Sequence, residues 1–333
     1  MSSTLPPTTA PLQIHTTIAS LRAARRPLLL AQHAVGFVPT MGALHDGHLS
    51  LLRQAAAEND ALTVSIFVNP AQFAPTEDLA TYPRTLAADV VLLQTLNASL
   101  AASSARGRVT ALFLPSVAEM YPSGIPLQES LQRGAFVSVQ PLGLKLEGGA
   151  RPHFFRGVAT VVNKLFNIVQ PDRAYFGQKD VQQTIVLRRM VKDLHMPLDL
   201  RVCPTGRESD GLARSSRNVY LGEQRRRVAP VLYKALQACE QEYLRLKKLG
   251  PVSAQTVLEC GRAVLAQANE MEPGVKVELE YLSLADTEEL EELETVDPAQ
   301  GAILSAAIRM LPAEEGQSVV RIIDNIIFEG GSK

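Results

Sequence analysis

The stretch "FVPTMGALHDGHLSLL" (residues 37–52) changes its hydrophobic pattern halfway along. Its first residues are apolar and suit a buried strand, whereas its last residues place leucines at helical spacing. Between the two lie Gly42, Gly47 and a pair of histidines, His45 and His48. Residues three apart share one helical face, so the stretch predicts a strand, a glycine turn and a helix that begins with two imidazoles.

The same alternation of strand and helix continues through the first two-thirds of the chain. Short apolar runs that suit buried parallel strands occupy residues 34–40, 62–68, 111–116, 173–177 and 200–205. Runs with helical spacing lie between them, at residues 48–59, 86–96, 157–169 and 182–194. This order predicts an α/β fold with a Rossmann-type, doubly wound parallel sheet that binds ligands at the carboxyl ends of its strands.

The pattern changes near residue 205, and we predict two domains, residues 1–205 and 206–333. The second part begins with helical patterns at residues 223–249 and 253–271. Alternating strands follow at 275–284, 302–310 and 319–329, as in a smaller α+β domain. In the first domain we expect two irregular surface segments: a mobile loop at 97–109 and an apolar-alternating edge at 137–143.

The amino-acid composition is typical of one class of protein and argues against several others. Hydrophobic residues make up 46% of the 333 residues, charged residues 20%, and the net charge is −1, as in a soluble globular protein without a broad nucleic-acid surface. Three widely spaced cysteines favour a reducing compartment, and no apolar run approaches the roughly 20 residues of a membrane span. We expect a cytoplasmic protein. The N-terminus, which lacks acidic residues before Asp46, leaves mitochondrial targeting open, although residues 17–26 read as the first helix of the fold.

Four segments could carry chemistry, and each has a plainer reading. The two histidines offer N–H donors to phosphate at a helix N-terminus, or are solvated turn residues. Asn69 and Gln72 follow a strand and suit hydroxyls and carboxylates, but amides are common in loops. Lys179 follows a glycine turn and suits a phosphate, or pairs with Asp180 on the surface. The run 215–217 (Ser, Ser, Arg) could close over a triphosphate, or is a serine-rich linker.

Several long motifs together resemble the pantothenate synthetases (pantoate–β-alanine ligases). They are "PTMGALHDGHLSL", "VSIFVNPAQF", "DLATYPRTLAAD", "KLFNIVQPDRAYFGQKDVQQ" and "DGLARSSRNVYL", in the order of that family. The resemblance implies that pantoate and ATP form an enzyme-bound pantoyl adenylate with release of pyrophosphate. β-Alanine then attacks the adenylate to give pantothenate and AMP. It also implies Mg²⁺, a homodimer, a Rossmann-type domain that binds nucleotide and pantoate, and a C-terminal lid domain.

The resemblance also implies roles for individual residues, with His48 as the proton donor. The catalytic set would be His45, His48, Lys179, Ser215, Ser216 and Arg217. The ATP site would comprise Met41, Gly42, His45, Gly47, His48, Gly177, Lys179, Asp180, Gly206, Arg214, Ser215, Ser216 and Arg217. Pantoate and β-alanine would contact Pro39, Thr40, Met41, Asn69, Gln72 and Gln183, and Asp89 would bind Mg²⁺.

The sequence departs from the family pattern at several positions, and other functions are also compatible with it. Arg214 replaces a usual Met or Leu, and Phe154 stands where the pattern has His, with His153 one position earlier. Gln178 replaces a usual Glu, Ala71 a usual Met, and Gly206 a usual apolar residue. The alternatives are another adenylyl- or cytidylyltransferase with the H-x-G-H motif, and an inactive relative that acts by binding.

Overall fold

The computed structural model describes residues 12–74, 79–126 and 128–331. The chain forms two compact units. The first consists of Met1–Gly177 with Gln182–Pro204, and the second of Gln178–Val181 with Thr205–Lys333. The short segment Gln178–Val181, which carries Lys179, therefore belongs to the second unit, although its sequence neighbours on both sides belong to the first.

A six-stranded parallel sheet organises the first unit, in the order β1-β4-β3-β2-β5-β6. Its strands are β1 (Gln13–His15), β2 (Val35–Thr40), β3 (Ala61–Ile66), β4 (Arg108–Phe113), β5 (Arg173–Gly177) and β6 (Asp199–Cys203). Every residue of β3 is buried, including Thr63 and Ser65, so both faces of this strand pack inside the fold. Because all strands are parallel, β3, β2 and β5 present their carboxyl ends side by side at one edge of the sheet.

Helices connect the strands and cover both faces of the sheet with apolar side chains. They are α1 (Ile18–Leu30), α2 (Asp46–Glu58), α3 (Leu86–Ala102), α4 (Val117–Met120), α5 (Glu147–Ala150), α6 (Phe154–Val169) and α7 (Val181–Asp193). The predicted first helix is confirmed as α1, whose N-cap Thr17 accepts a hydrogen bond from the backbone N–H of Ser20. The parallel α/β architecture predicted from the alternation is likewise confirmed.

The second unit packs helices against an antiparallel sheet. Its helices are α8 (Gly222–Val228), α9 (Val231–Leu246) and α10 (Ala254–Ala266). A three-stranded sheet has the order β11-β10-β8, from β8 (Val277–Ala285), β10 (Ala302–Met310) and β11 (Val320–Phe328), and β7 (Val252–Ser253) pairs with β9 (Thr295–Val296). The rings of Tyr243 on α9 and Phe328 on β11 stack with centroids 4.0 Å apart, which joins helix and sheet in one core.

Three sequence expectations about local structure are wrong. The loop predicted at 97–109 is confined to residues 103–107, since α3 continues to Ala102 and β4 begins at Arg108. The segment 137–143 forms no strand and ends in a short 3₁₀ turn, with a cis peptide bond before Pro141. The single helix predicted at 223–249 is divided into α8 and α9 around Pro230, whose ring nitrogen has no hydrogen to donate within a continuous helix.

Within the described part of the chain, no helix has the length and apolar character needed to cross a bilayer. Residues 1–11, which include the start of the acid-poor N-terminal segment, lie outside the described residues.

Candidate active site

The H-x-G-H turn leaves the carboxyl end of β2, the strand beside β3 and β5. The Thr40 hydroxyl donates to the carbonyl of Ser65 at 2.8 Å and accepts the N–H of Gly42 at 3.1 Å, which joins the turn to β3. Gly42 has a φ of +86°. A Cβ atom there would lie 3.1 Å from the Ile66 side chain, so both backbone angle and space favour glycine.

The two histidines cap the helix that follows. His45 is the N-cap of α2, and its Nδ1 accepts the backbone N–H of Gly47 at 3.1 Å. His48 returns the contact, since its Nδ1 lies 3.4 Å from the backbone nitrogen of His45. The ring centroids are 4.2 Å apart. This reciprocal arrangement resembles a capping box in which imidazoles replace the usual Ser or Thr and Glu.

These contacts determine how the imidazoles can act. A backbone N–H can only donate, so the Nδ1 atom that it contacts must be unprotonated, and each neutral ring carries its hydrogen on Nε2. Burial, together with the neighbouring His45, lowers the pKa of His48 to about 3. His48 is therefore a neutral hydrogen-bond donor near pH 7 rather than a cation.

A cluster of amide and phenol groups follows the carboxyl end of β3. Asn69 is only 1% exposed; its Oδ1 accepts the hydroxyl of Tyr121 at 2.7 Å, and its Nδ2 donates to the carbonyl of Gly157 at 3.2 Å. The same Nδ2 donates to Oε1 of Gln72 at 3.0 Å, while Nε2 of Gln72 lies 3.2 Å from Sδ of Met41. Gln72 is thus oriented by both Asn69 and the β2 turn.

Adjacent glutamines near the start of α7 have different environments. Gln182 is buried, and its side chain accepts the N–H of Glu147 and donates to the carbonyls of Leu142 and Lys145. It therefore fixes the segment before α5. Gln183, the predicted pantoate contact, is only half-buried and belongs to the first unit.

In the second unit, Lys179 lies on a 3₁₀ turn that β11 holds in place. The Nδ2 of Asn325, which is 1% exposed, donates to the carbonyls of Gln178 at 2.8 Å and Lys179 at 2.9 Å. The Nζ of Lys179 lies 3.9 Å from Oδ1 of Asp180, at the outer limit of an ion pair. Such a long contact leaves room for a stronger anionic partner.

The Ser-Ser-Arg segment also lies in the second unit. Ser215 caps a short 3₁₀ turn, where its hydroxyl accepts the backbone N–H of Arg217. The Arg214 backbone donates to the carbonyl of Gly206, and its guanidinium lies 3.5 Å from a carboxylate oxygen of Glu208. The extra charge of Arg214 is thus partly balanced inside its own unit.

Two further candidates have contacts that the motifs do not reveal. The buried carboxylate of Asp89, the predicted metal ligand, accepts hydrogen bonds from the backbone of the β2 turn. Phe154 begins α6 and packs under the guanidinium of Arg151, whereas the exposed His153 pairs with Glu129. Among residues 12–74, 79–126 and 128–331, no group of three His, Cys, Asp or Glu side chains is placed to hold a metal ion.

Three residues that position the candidate groups were not predicted from the sequence: Tyr121, Arg151 and Asn325. Tyr121 orients Asn69, and a guanidinium N–H of Arg151 donates to the carbonyl of Gln72 at 3.1 Å. Burial raises the pKa of the Tyr121 hydroxyl, which keeps it a donor. All three lie more than 50 residues from the groups they hold, so no local motif could reveal them.

Comparison with known proteins identifies the family. The family model described as pantoate-beta-alanine ligase matches residues 13–327. The chain belongs to the pantoate–β-alanine ligase family. It is 46% identical over 319 residues to a pantothenate synthetase of Roseiflexus castenholzii, covering 96% of this chain and 100% of the relative. It is also 46% identical over 300 residues to the pantoate–β-alanine ligase of Saccharomyces cerevisiae, covering 89% of this chain and 93% of that protein.

Solved structures of this ligase family have the same fold. The pantothenate synthetase of Thermus thermophilus is 40% identical, with a TM-score of 0.76 and coverage of 94% of this chain and 98% of that one. A pantoate–β-alanine ligase of Francisella tularensis, complexed with "Beta-gamma ATP and Beta-alanine", is 31% identical, with a TM-score of 0.67 and coverage of 96% and 99%.

Proposed function

We propose that this chain condenses pantoate with β-alanine to pantothenate through an enzyme-bound pantoyl adenylate, with release of pyrophosphate and AMP. The observation that carries the proposal is the pairing of two polar turns at adjacent strand ends. The H-x-G-H turn follows β2, and the turn with Asn69 and Gln72 follows β3. Membership of the ligase family, and the ligands of the Francisella relative, support ATP and β-alanine as substrates.

In the first step a carboxylate oxygen of pantoate attacks the α-phosphorus of ATP, and the bond to the pyrophosphate oxygen breaks. Gln72 and Gln183 would hold pantoate through hydrogen bonds that add no charge next to the attacking carboxylate. His48 would donate from Nε2 to a phosphate oxygen. Its low pKa supports hydrogen bonding by a neutral ring, because the ring becomes a cation with a proton to transfer only at pH values near 3.

Because His48 is neutral, other groups must supply the positive charge that stabilises the phosphates. Lys179 and Arg217 would offset the charge that develops on the phosphates, as the family resemblance implies. Mg²⁺ bound to ATP would supply further neutralisation of the phosphate charge. In the second step the neutral amine of β-alanine attacks the acyl carbon, the nitrogen loses one proton to solvent, and AMP leaves with the electron pair of the cleaved anhydride bond. We assign no base to this step, since proximity to the adenylate provides a large rate gain by itself.

We also propose a homodimer and a cytoplasmic location. The free cysteines support a reducing compartment, and burial raises the pKa of the Cys203 thiol to about 12 and of Cys239 to about 11, which keeps both unreactive. Light scattering coupled to size exclusion measures the mass relative to the 36.1 kDa chain. Fluorescent tagging of the full chain at its C-terminus distinguishes cytoplasm from mitochondria.

Product analysis tests the reaction. We expect pantoate-dependent exchange of labelled pyrophosphate into ATP without β-alanine, and pantothenate plus AMP when β-alanine is added. A related nucleotidyltransferase would instead give a nucleotide-linked product, and an inactive relative would give neither exchange nor product. Absence of pantoate-dependent exchange in folded protein with Mg²⁺ would contradict the proposal.

Paired substitutions test the roles of individual residues. His48→Asn and Lys179→Met should each reduce the exchange rate by roughly 100-fold or more, because each removes a donor to the transition state. The matched controls are His195→Asn and Lys192→Met, at exposed positions of the first unit. Asn tolerates the φ of +50° found at His195. Equal rates for test and control variants would contradict the assignments.

A further inference from the structure

Asp89 lies beneath the turn that carries the histidines and is satisfied by protein donors. The side chain, in the first turn of α3, is only 1% exposed. Its Oδ2 accepts the N–H of Ala43 at 3.0 Å, and its Oδ1 accepts the N–H of Leu44 at 2.8 Å and the hydroxyl of Thr85 at 3.1 Å. Both oxygens therefore face hydrogen-bond donors rather than solvent.

The turn needs such an anion because of its backbone conformation. Gly42 and Ala43 have consecutive positive φ angles of +86° and +50°. In turns, successive backbone N–H groups can face one anion, and here the N–H groups of Ala43 and Leu44 both point at the Asp89 carboxylate. An alanine in this region is strained, so the carboxylate of Asp89 stabilises a conformation that the sequence alone disfavours. His45, the N-cap of α2, follows directly after this turn.

The surroundings of Asp89 do not fit a magnesium ion. Hard cations take several oxygen ligands. The neighbouring helical positions Leu86, Leu92 and Leu93 provide none, and the hydroxyl of Thr85 is already used to donate to Oδ1 of Asp89. Across the described ranges, Asp89 is also not part of any cluster of three or more potential ligand side chains. The N–H groups that point at both carboxylate oxygens present partial positive charge, which repels a cation.

We propose that Asp89 is a positioning residue: it holds the 42–44 turn so that His45 and His48 present Nε2 to the nucleotide, and it is not a ligand of magnesium. The inference rests on the proposed function for its kinetic readout, but its structural readouts do not depend on activity. The metal that accompanies ATP then requires no protein carboxylate at this position.

The central variant is Asp89→Asn, which keeps the shape but turns an amide N–H₂ toward a backbone N–H. We expect the pyrophosphate exchange rate to fall at least 10-fold, with no change in the Mg²⁺ concentration that gives half-maximal rate. Ala43→Gly relieves the strained residue, so the double variant with Asp89→Asn should recover roughly five-fold. Loss of a metal ligand would instead be overcome by excess Mg²⁺ and would not respond to Ala43→Gly.

Two measurements on the ATP-free protein separate this inference from the proposed function. Amide exchange at Ala43 and Leu44 should be faster in Asp89→Asn than in wild type. Mn²⁺, used as the probe and detected by electron paramagnetic resonance, should bind wild type and variant equally. Tighter Mn²⁺ binding by wild type, or recovery of the variant at high Mg²⁺, would overturn the inference.

A milder variant covers the case in which Asp89→Asn does not fold. Thr85→Val removes one of the three donors without changing the side-chain shape. It should accelerate hydrogen exchange of the Ala43 and Leu44 amides. It should also lower the pyrophosphate exchange rate a few-fold without changing the Mg²⁺ concentration that gives half-maximal rate. Unchanged amide exchange in this variant would count against the inference, whereas an inactive wild type would refute only the proposed function.

Discussion

The low pKa of His48 predicts a loss of stability in acid that one substitution removes. In the folded chain this pKa lies at about 3, against an ordinary value of 6.5, because burial and His45 oppose charge on the ring. In the unfolded chain the ring is hydrated and takes up a proton as the pH falls below 6.5. The stabilising contribution of the neutral ring is therefore complete above pH 6.5 and is lost progressively towards pH 3.

The size of the effect follows from the two pKa values. Each pH unit below 6.5 costs about 1.4 kcal/mol, so wild type should lose up to about 2 kcal/mol between pH 7 and pH 5 through His48. This is an upper bound, because His48 is only half-buried and solvent weakens the effect. His48→Asn cannot take up this proton and should lose correspondingly less.

Urea unfolding at pH 7 and pH 5, followed by circular dichroism at constant ionic strength, measures both losses. Groups that wild type and His48→Asn share titrate alike in both proteins, so their contributions cancel in the difference between the two losses. Equal losses in the two proteins would refute the account of a His48 that stays neutral in the folded chain. A larger loss of stability in His48→Asn than in wild type would contradict even the predicted direction of the pKa shift.

Two further substitutions test packing that positions the candidate residues. Gly157→Ala would place a methyl group 2.1 Å from the carbonyl oxygen of Ala71. We therefore expect the KM for pantoate to rise and the free energy of unfolding to fall by about 2 kcal/mol. Gly149→Ala, where the nearest atom lies 3.7 Å away, is the control for both measurements. Asn325→Ala removes two hydrogen bonds to the turn of Lys179, so the KM for ATP should rise and the second unit should lose about 2 kcal/mol. Steady-state kinetics and urea unfolding check each expectation, and an unchanged KM in either test variant would contradict it.

The five predicted strands and the helices between them could be found from the sequence because each has one dominant pattern. A strand such as β3 is buried on both faces, so four of its six residues are apolar and the two polar ones, Thr63 and Ser65, are small. The short edge strand β1 has only three residues, too few for a pattern, and was not predicted. The segment 97–102 is helical despite its small polar residues, because Leu96 and Leu100 of α3 pack into the core.

The sequence by itself determined the alternating α/β order, the strand–turn–helix form of the H-x-G-H stretch and the family resemblance that names the reaction. These features depend on local periodicity and on motifs of a few residues. Only the tertiary structure decided that Asp89 binds the backbone of a turn 46 residues away and that Asn325 holds Lys179. It also decided that His48 is neutral, because the pKa of a ring depends on how much solvent its neighbours exclude, and those neighbours are assembled by folding.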